Sequence, residues 1–218
     1  MTVSQTPSDA ELLRLMLAGE EDAFVTLYRR RQGPVYRFAL QMSGSEAVAE
    51  DVTQEVFIVL MRDGRNFDPA RGSVAAYLYG IARNHVRRVF DRERSFVPIG
   101  DDEEDSDARV HERLIAHDDP LDDLTRGEMI GRLRQAVLAL PTHYREVVVL
   151  CELHEMSYVE AAGALDCAVG TVRSRLHRAR SMLAGKMRDA AAADAATTTE
   201  LTEGEPAGGT LKTARCFA

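Results

Sequence analysis

An acidic segment at residues 97–128 divides this chain in two and so constrains every fold that it can adopt. The segment carries twelve carboxylates, three basic side chains and two prolines, so its charges repel one another and it resembles a flexible linker. The whole chain has 218 residues, and each flanking part can therefore bury only a modest core. The sequence predicts two small domains, 1–96 and 129–189, joined by this linker.

Helical periodicity dominates both flanking parts, whereas alternating apolar and polar runs bounded by turn signals are missing. Two capping-box patterns, "SDAE" from Ser8 and "SYVE" from Ser157, mark helix starts. Gly33–Pro34 is expected to restart or kink the chain. Residues 190–218 are poor in large apolar side chains and are predicted to be a disordered tail. We therefore predict an all-α protein.

Composition excludes several classes of protein. The chain has no stretch of eighteen or more apolar residues and does not begin like a signal peptide, which predicts a soluble cytoplasmic protein without membrane insertion. No Walker loop, dinucleotide fingerprint, nucleophile elbow or zinc-hydrolase motif occurs, so neither an enzyme nor a cofactor is expected.

The three cysteines give no sign of a disulfide framework or a metal site. Cys151 and His154 are one helical turn apart, which could begin a metal site, but Cys167, His143 and Cys216 add no recognisable ligand spacing. We therefore predict reduced thiols and no metal, and leave open a redox role for Cys216.

The stretch "GTVRSRLHRAR" at residues 170–180 is basic and lacks carboxylates, although the whole chain has a net charge of −8. With Thr171 as N-cap, an apolar stripe that packs inward is formed by Val172, Leu176, Ala179 and Leu183. A short helix and a tight turn precede it, which is the arrangement of a helix-turn-helix whose second helix enters the major groove. A basic face that merely balances the acidic linker is the alternative.

A second candidate surface lies on the helix predicted at residues 45–61. Its inward stripe is Val48, Val52, Val56 and Val59. Its opposite stripe combines an isolated apolar side chain with charged and polar ones: Asp51, Gln54, Glu55, Ile58 and Arg62. Acidic groups around an apolar anchor suit a basic partner. A solvated charged face is again the alternative.

A third candidate surface lies on the helix predicted at residues 73–94. This helix directs Val74, Leu78, Ile81 and Val89 inward. Small and basic residues occupy its other side, namely Ala76, Gly80, Arg83, Asn84 and Arg87. The small residues leave room for a close backbone, and Tyr77, Tyr79 and Phe90 lie near enough to stack on exposed bases.

Three segments, in this order, carry a resemblance to a known family. "AEDVTQEVFIVLMR" and "RGSVAAYLYGIARNHVRR" resemble the two signatures of the N-terminal domain of the extracytoplasmic-function group of bacterial sigma factors. "MSYVEAAGALDCAVGTVRSRLHRARSML" resembles the promoter-reading C-terminal domain of the same group. Three ordered motifs in two domains are far more specific than a single helix-turn-helix.

The resemblance implies a role for each candidate surface. Contact with a coiled coil of the RNA polymerase core falls to Asp51, Gln54, Glu55 and Ile58. Recognition of the −10 promoter element falls to Tyr77, Arg83, Asn84, Arg87 and Arg88. Recognition of the −35 element falls to Thr171, Arg173, Ser174, Arg175, His177 and Arg178. An anti-sigma factor is a further partner that the resemblance allows.

Two other classes of function remain open from the residues. A conventional DNA-binding regulator would carry a dimerisation or sensor module at its N-terminus and would bind its operator unaided. A sigma-like adaptor would bind polymerase without reading DNA, although the basic helix argues against it. The acidic linker is also predicted to fold back on the basic helix of the free protein.

Overall fold

The computed structural model describes residues 6–95 and 124–202, and this part of the chain is helical without a strand. The prediction of an all-α fold is therefore confirmed. Residues 97–123 of the predicted linker, including its proposed contact with the basic helix, lie outside the described residues, as does Cys216.

Four helices form lobe one, the described part before the linker: α1 (Asp9–Leu17), α2 (Glu21–Ser43), α3 (Glu46–Asp63) and α4 (Val74–Ser95). Two 3₁₀ turns, Gly64–Asn66 and Pro69–Arg71, connect α3 to α4. The Ser8 hydroxyl accepts a hydrogen bond from the Glu11 backbone N–H at 3.2 Å, as its capping pattern predicts.

Helix α2 passes through Pro34, so of the two outcomes predicted for Gly33–Pro34, a restart or a kink, the restart is wrong. Leu27 and Phe38, on either side of the proline, are completely buried in one continuous apolar face. Burial of that face outweighs the hydrogen bond that a proline removes. The helix ends instead at Gly44, whose φ of 72° is the left-handed conformation common after helix ends.

Helix α3 buries a different stripe from the one predicted. Val52 and Val56 are buried as expected, but Val48 and Val59 are only half-buried. The rest of the buried face is Ala49, Phe57 and Leu60. The helix packs against both α2 and α4, so its inward face is wider than a single row of valines.

Lobe two, the described part after the linker, contains α5 (Leu124–Leu138), α6 (Thr142–Val148), α7 (Tyr158–Leu165) and α8 (Val169–Thr202). Helix α6 continues into a π-helical turn, Val149–Leu153. Helix α5 begins within the segment predicted as linker, and its Leu133 is 43% exposed. Helix α8 extends to Thr202, so the backbone is helical where the sequence predicts the disordered tail to begin.

The two lobes pack against each other, and their buried apolar residues form one continuous cluster. The largest inter-lobe contact joins α4 to α7, and α2 also contacts α5 and the π-helical turn. The sequence predicts two modules joined by a linker, but not this contact. The surfaces that face the boundary therefore differ from those expected for separate domains.

Candidate nucleic-acid and protein interfaces

Helices α7 and α8 form the predicted helix-turn-helix. The Ser157 hydroxyl accepts a hydrogen bond from the Glu160 backbone N–H at 3.2 Å, and the Glu160 carboxylate accepts one from the Ser157 N–H at 3.1 Å. This capping box fixes the start of α7. Asp166 ends the helix with a φ of 50°, a conformation that Asp tolerates better than most residues. The turn between the helices therefore follows from local sequence.

Helix α8 begins at Val169, so the assignment of Thr171 as its N-cap is wrong. The carbonyl of Ala168 already accepts hydrogen bonds from the N–H groups of Thr171 and Val172, at 2.9 and 3.2 Å. Because the αL residue Asp166 reverses the chain early, Thr171 lies in the first turn and is half-buried.

One face of α8 is buried and the other is open to solvent. Val172, Leu176 and Ala179 are at most 2% exposed, as predicted, whereas Leu183 of the same predicted stripe is only half-buried. The exposed face carries Arg173, Ser174, His177 and Arg178, whereas Arg175 is half-buried. Guanidinium, hydroxyl and imidazole groups on such a face can bond phosphates and base edges. The guanidinium of Arg173 also lies 6.0 Å from the centroid of the Tyr158 ring.

The predicted docking surface on α3 is open. Asp51 and Gln54 are exposed, Glu55 is half-buried and Ile58 is 40% exposed. Sequence reasoning missed Met61, one helical turn beyond Ile58, which is 53% exposed. Both side chains line a groove between α2 and α3 that also includes Tyr28 and Phe57. Exposed apolar groups beside carboxylates can anchor a protein partner with a basic surface.

Helix α4 divides its predicted DNA-binding residues between solvent and the inter-lobe boundary. Asn84, Arg87 and Arg88 are exposed. The hydroxyl of half-buried Tyr77 donates to the Asp63 carbonyl at 3.4 Å. Arg83, by contrast, donates through Nε to Oε1 of Glu146 at 2.6 Å, and the Glu146 side chain is only 2% exposed. This buried ion pair joins α4 to α6.

Tyr79 and Phe90 were expected near the surface, but both are only 5% exposed. The Tyr79 hydroxyl lies 2.9 Å from Nδ1 of His154, and Nε2 of His154 lies 2.9 Å from Oε1 of Gln41. Burial and the nearby charge of Arg37 lower the pKa of His154 to about 4. A neutral imidazole from lobe two is thus held between two helices of lobe one, where Tyr79 cannot stack on bases.

Small residues bring the two backbones together at the same boundary. A Cβ added at Gly80 would lie 3.4 Å from the Ala164 carbonyl oxygen, and one added at Gly163 would lie 3.0 Å from the Arg71 carbonyl oxygen. Gly80 was predicted to leave room for a close backbone. In this structure, helix α7 of the same chain fills that room.

Arg145 completes the inter-lobe contact. Its side chain is completely buried. Its Nη1 donates to the Met42 carbonyl at 2.6 Å, at the end of α2, and its Nη2 donates to the Leu140 carbonyl at 2.9 Å. A cation suits the carbonyl end of a helix. Although burial lowers the pKa of Arg145 to about 10, the side chain stays charged at neutral pH. Sequence reasoning missed this residue, because burial of an arginine depends on carbonyls far along the chain.

The described residues provide no cluster of three or more His, Cys, Asp and Glu side chains that could hold a metal ion. Cys151 and Cys167 are half-buried free thiols, and burial and Glu152 raise the pKa of Cys151. Within residues 6–95 and 124–202, no helix is both long and apolar enough to cross a membrane.

Family models match both lobes. The model for Sigma-70 region 2 matches residues 27–96, and the model for Sigma-70 region 4 matches residues 130–183. These ranges contain the candidate surfaces on α3 and α4 in the first case, and on α8 in the second.

Characterised relatives and solved structures agree with the family models. The ECF RNA polymerase sigma factor SigE of Mycolicibacterium smegmatis is 35% identical over 72% of this chain, a match that spans 58% of that relative. SigW of Bacillus subtilis is 30% identical over 78% of this chain and 92% of its own length. The fold resembles that of CnrH in its complex with the cytosolic domain of CnrY, with a TM-score of 0.62 and 24% identity over 84% of this chain and 99% of that one. It also resembles the sigma factor RpoE of Bartonella quintana, bound to the anti-sigma factor NepR, with a TM-score of 0.57 and 22% identity over 76% and 96% of the two chains. This chain therefore belongs to the ECF group of RNA polymerase sigma factors.

Proposed function

We propose that this chain is a dissociable initiation subunit of RNA polymerase, acting in the cytoplasm and without catalysis of its own. Lobe one binds the core enzyme and the −10 element, and lobe two reads the −35 element as duplex DNA. The observation that carries the proposal is the α8 surface, where Arg173, Ser174, His177 and Arg178 are exposed on the second helix of a helix-turn-helix. Arginine and histidine there can contact phosphates and guanine edges.

The surface for core polymerase is proposed on α3. Ile58 and Met61 supply exposed apolar area, and Asp51, Gln54 and Glu55 surround them with acidic and polar groups. The partner suited to this surface is a basic helical element, such as the clamp coiled coil of the largest polymerase subunit. An anti-sigma factor, as in the complex of RpoE with NepR, is proposed as a competing partner.

The packed arrangement of the lobes is proposed to be the free state. Arg83 and Arg175, assigned to the −10 and −35 elements, line one small cavity. Promoter elements named −35 and −10 are about 25 base pairs apart, or roughly 85 Å along B-DNA. One chain can reach both elements only if its lobes separate. Core polymerase then holds two weak readers at a fixed distance, which raises the affinity of each.

The test is promoter-specific transcription by purified core polymerase with and without this protein. We expect transcription only when the protein is present. Ile58→Glu should abolish binding to core polymerase, whereas Arg178→Ala should spare that binding and weaken the −35 contact. Val159→Glu, at an exposed position of lobe two, is the control for an added surface charge. If Ile58→Glu and Arg178→Ala each lose both activities, the division of labour between the lobes is wrong.

The same assay tests the operator-binding regulator. Such a protein would bind its DNA site unaided and would activate core polymerase only if another sigma factor were present. Transcription from core polymerase and this chain alone excludes it.

A further inference from the structure

A cavity of about 190 Å³ lies at the boundary of the lobes, between α4 on one side and α6 and α8 on the other. Its charged and titratable lining is Arg83, Arg87, Asp91, His143, Glu146 and Arg175. Three arginines, Arg83, Arg87 and Arg175, thus line one partly open cavity from two lobes. A cavity of this size holds several water molecules or one small polyatomic ion.

The charges of the lining are not balanced within the cavity. Arg83 is neutralised by Glu146, at 2.6 Å. Arg87 and Arg175 have no ion-pair partner among the described residues, and Asp91 is the remaining carboxylate of the lining. Three arginines against two carboxylates leave the described part of the lining with one excess positive charge when the lobes are closed.

His143 lines the same cavity and lies near Arg175 within lobe two. Its pKa is lowered by burial first and by the charge of Arg175 second, and Glu146 only partly opposes this. Closing the lobes places Arg87 of α4 in the same cavity lining as Arg175 of α8. Like charges held close together are unfavourable unless an anion lies between them.

We propose that this cavity is a binding site for a small phosphate-type oxyanion, held by Arg87 from lobe one and Arg175 from lobe two. Guanidinium groups bind phosphate oxygens through paired, charge-assisted hydrogen bonds. A lining rich in arginine therefore suits a phosphate-type oxyanion better than an apolar ligand. The site exists only while the lobes are closed, because its two principal cations belong to different lobes.

The consequence, which rests on the proposed function, is control of promoter access. An anion that binds only the closed form multiplies the ratio of closed to open protein by 1 + [anion]/Kd, or about 100-fold at an anion concentration of 100 Kd. The anion also occupies Arg87 and Arg175, two residues assigned to promoter DNA. Free oxyanion and promoter therefore compete for the same side chains.

The binding test uses the full chain and inorganic pyrophosphate, by isothermal titration calorimetry at constant ionic strength set with sodium chloride. We expect wild-type protein to bind, and Arg87→Ala and Arg175→Ala each to weaken binding at least tenfold. Arg88→Ala and Arg178→Ala are matched controls, since both remove an exposed arginine of the same helices that does not line the cavity. Absence of binding, or equal losses in all four variants, would overturn the proposal, because the latter shows only non-specific attraction to basic surfaces.

A second measurement separates this proposal from the proposed function. Small-angle X-ray scattering should show a more compact wild-type protein with pyrophosphate than with chloride, and no compaction in Arg175→Ala. Neither the calorimetry nor the scattering needs polymerase or promoter. Failure here with normal transcription from core polymerase rejects the anion site alone, whereas anion binding without transcription rejects the proposed function alone.

Discussion

The ion pair between Arg83 and Glu146 should decide how tightly the two lobes close, and Glu146→Gln tests this directly. The Glu146 side chain is 2% exposed and the Arg83 side chain is 14% exposed, with 2.6 Å between Nε and Oε1. Loss of one partner of a buried ion pair costs about 3–5 kcal/mol. Glutamine keeps an oxygen that can accept from Nε, so we expect a smaller loss of about 2 kcal/mol.

That loss applies to the closed form only, because Arg83 and Glu146 are solvated when the lobes separate. At about 1.36 kcal/mol for each factor of ten, the ratio of closed to open protein should fall roughly 30-fold. Small-angle scattering measures the change as an increase in the radius of gyration. The affinity of the free protein for single-stranded promoter DNA should also increase, because separation of the lobes uncovers α4.

Glu152→Gln is the matched control for this experiment. Glu152 lies in the π-helical turn that follows α6 and pairs with Arg180 of the same lobe, where the side chains are 41% and 58% exposed. Solvent-exposed pairs of this kind contribute little, so we expect no opening. Arg83→Met combined with Glu146→Leu replaces the pair by apolar groups of similar size and should restore closure. Equal radii of gyration for Glu146→Gln, Glu152→Gln and wild type would refute the reasoning.

Two further perturbations of the same boundary have defined outcomes. The pKa of His154 is lowered in the closed form from 6.5 to about 4. Because only the open form then gains a proton on His154, closure is favoured above about pH 6.5 and is lost as the pH falls. The ratio of closed to open protein should drop about tenfold between pH 7.5 and pH 5.5. Small-angle scattering across this pH range measures the drop as an increase in the radius of gyration. His154→Gln should flatten this dependence on pH, whereas His177→Gln, at an exposed position, should leave it unchanged. Gly163→Ala would place a Cβ 3.0 Å from the Arg71 carbonyl oxygen of the other lobe. This clash should separate the lobes and so increase the radius of gyration. A Cβ added at Gly185 would have no neighbouring atom within 4 Å, so Gly185→Ala should instead stabilise α8 by about 1 kcal/mol in thermal unfolding. An increased radius of gyration in both variants would contradict a specific clash at Gly163.

Local sequence was sufficient wherever a feature depends on neighbours in the chain. The capping box at Ser157, the left-handed Asp166 and the buried stripe of Val172, Leu176 and Ala179 each follow from residues within one or two turns. Their side chains and backbone groups meet at fixed helical spacing, whatever the rest of the chain does. The same holds for the helical class and for the open basic face of α8.

Tertiary structure decided the features whose partners lie far along the chain. Local propensity predicts a restart or a kink at Gly33–Pro34, but packing continues α2 through Pro34 as one helix. The α4 pattern indicates that Tyr79 lies near an open surface, yet His154, 75 residues away, covers it. Burial of Arg145 likewise depends on the Met42 carbonyl, 103 residues earlier. Sequence by itself therefore determined the helical class, the helix starts at Ser8 and Ser157 and the main part of the buried stripe of α8, because those depend on spacing of a few residues. Only the folded chain decided which helix faces meet, because that depends on the combined burial and charge of two lobes.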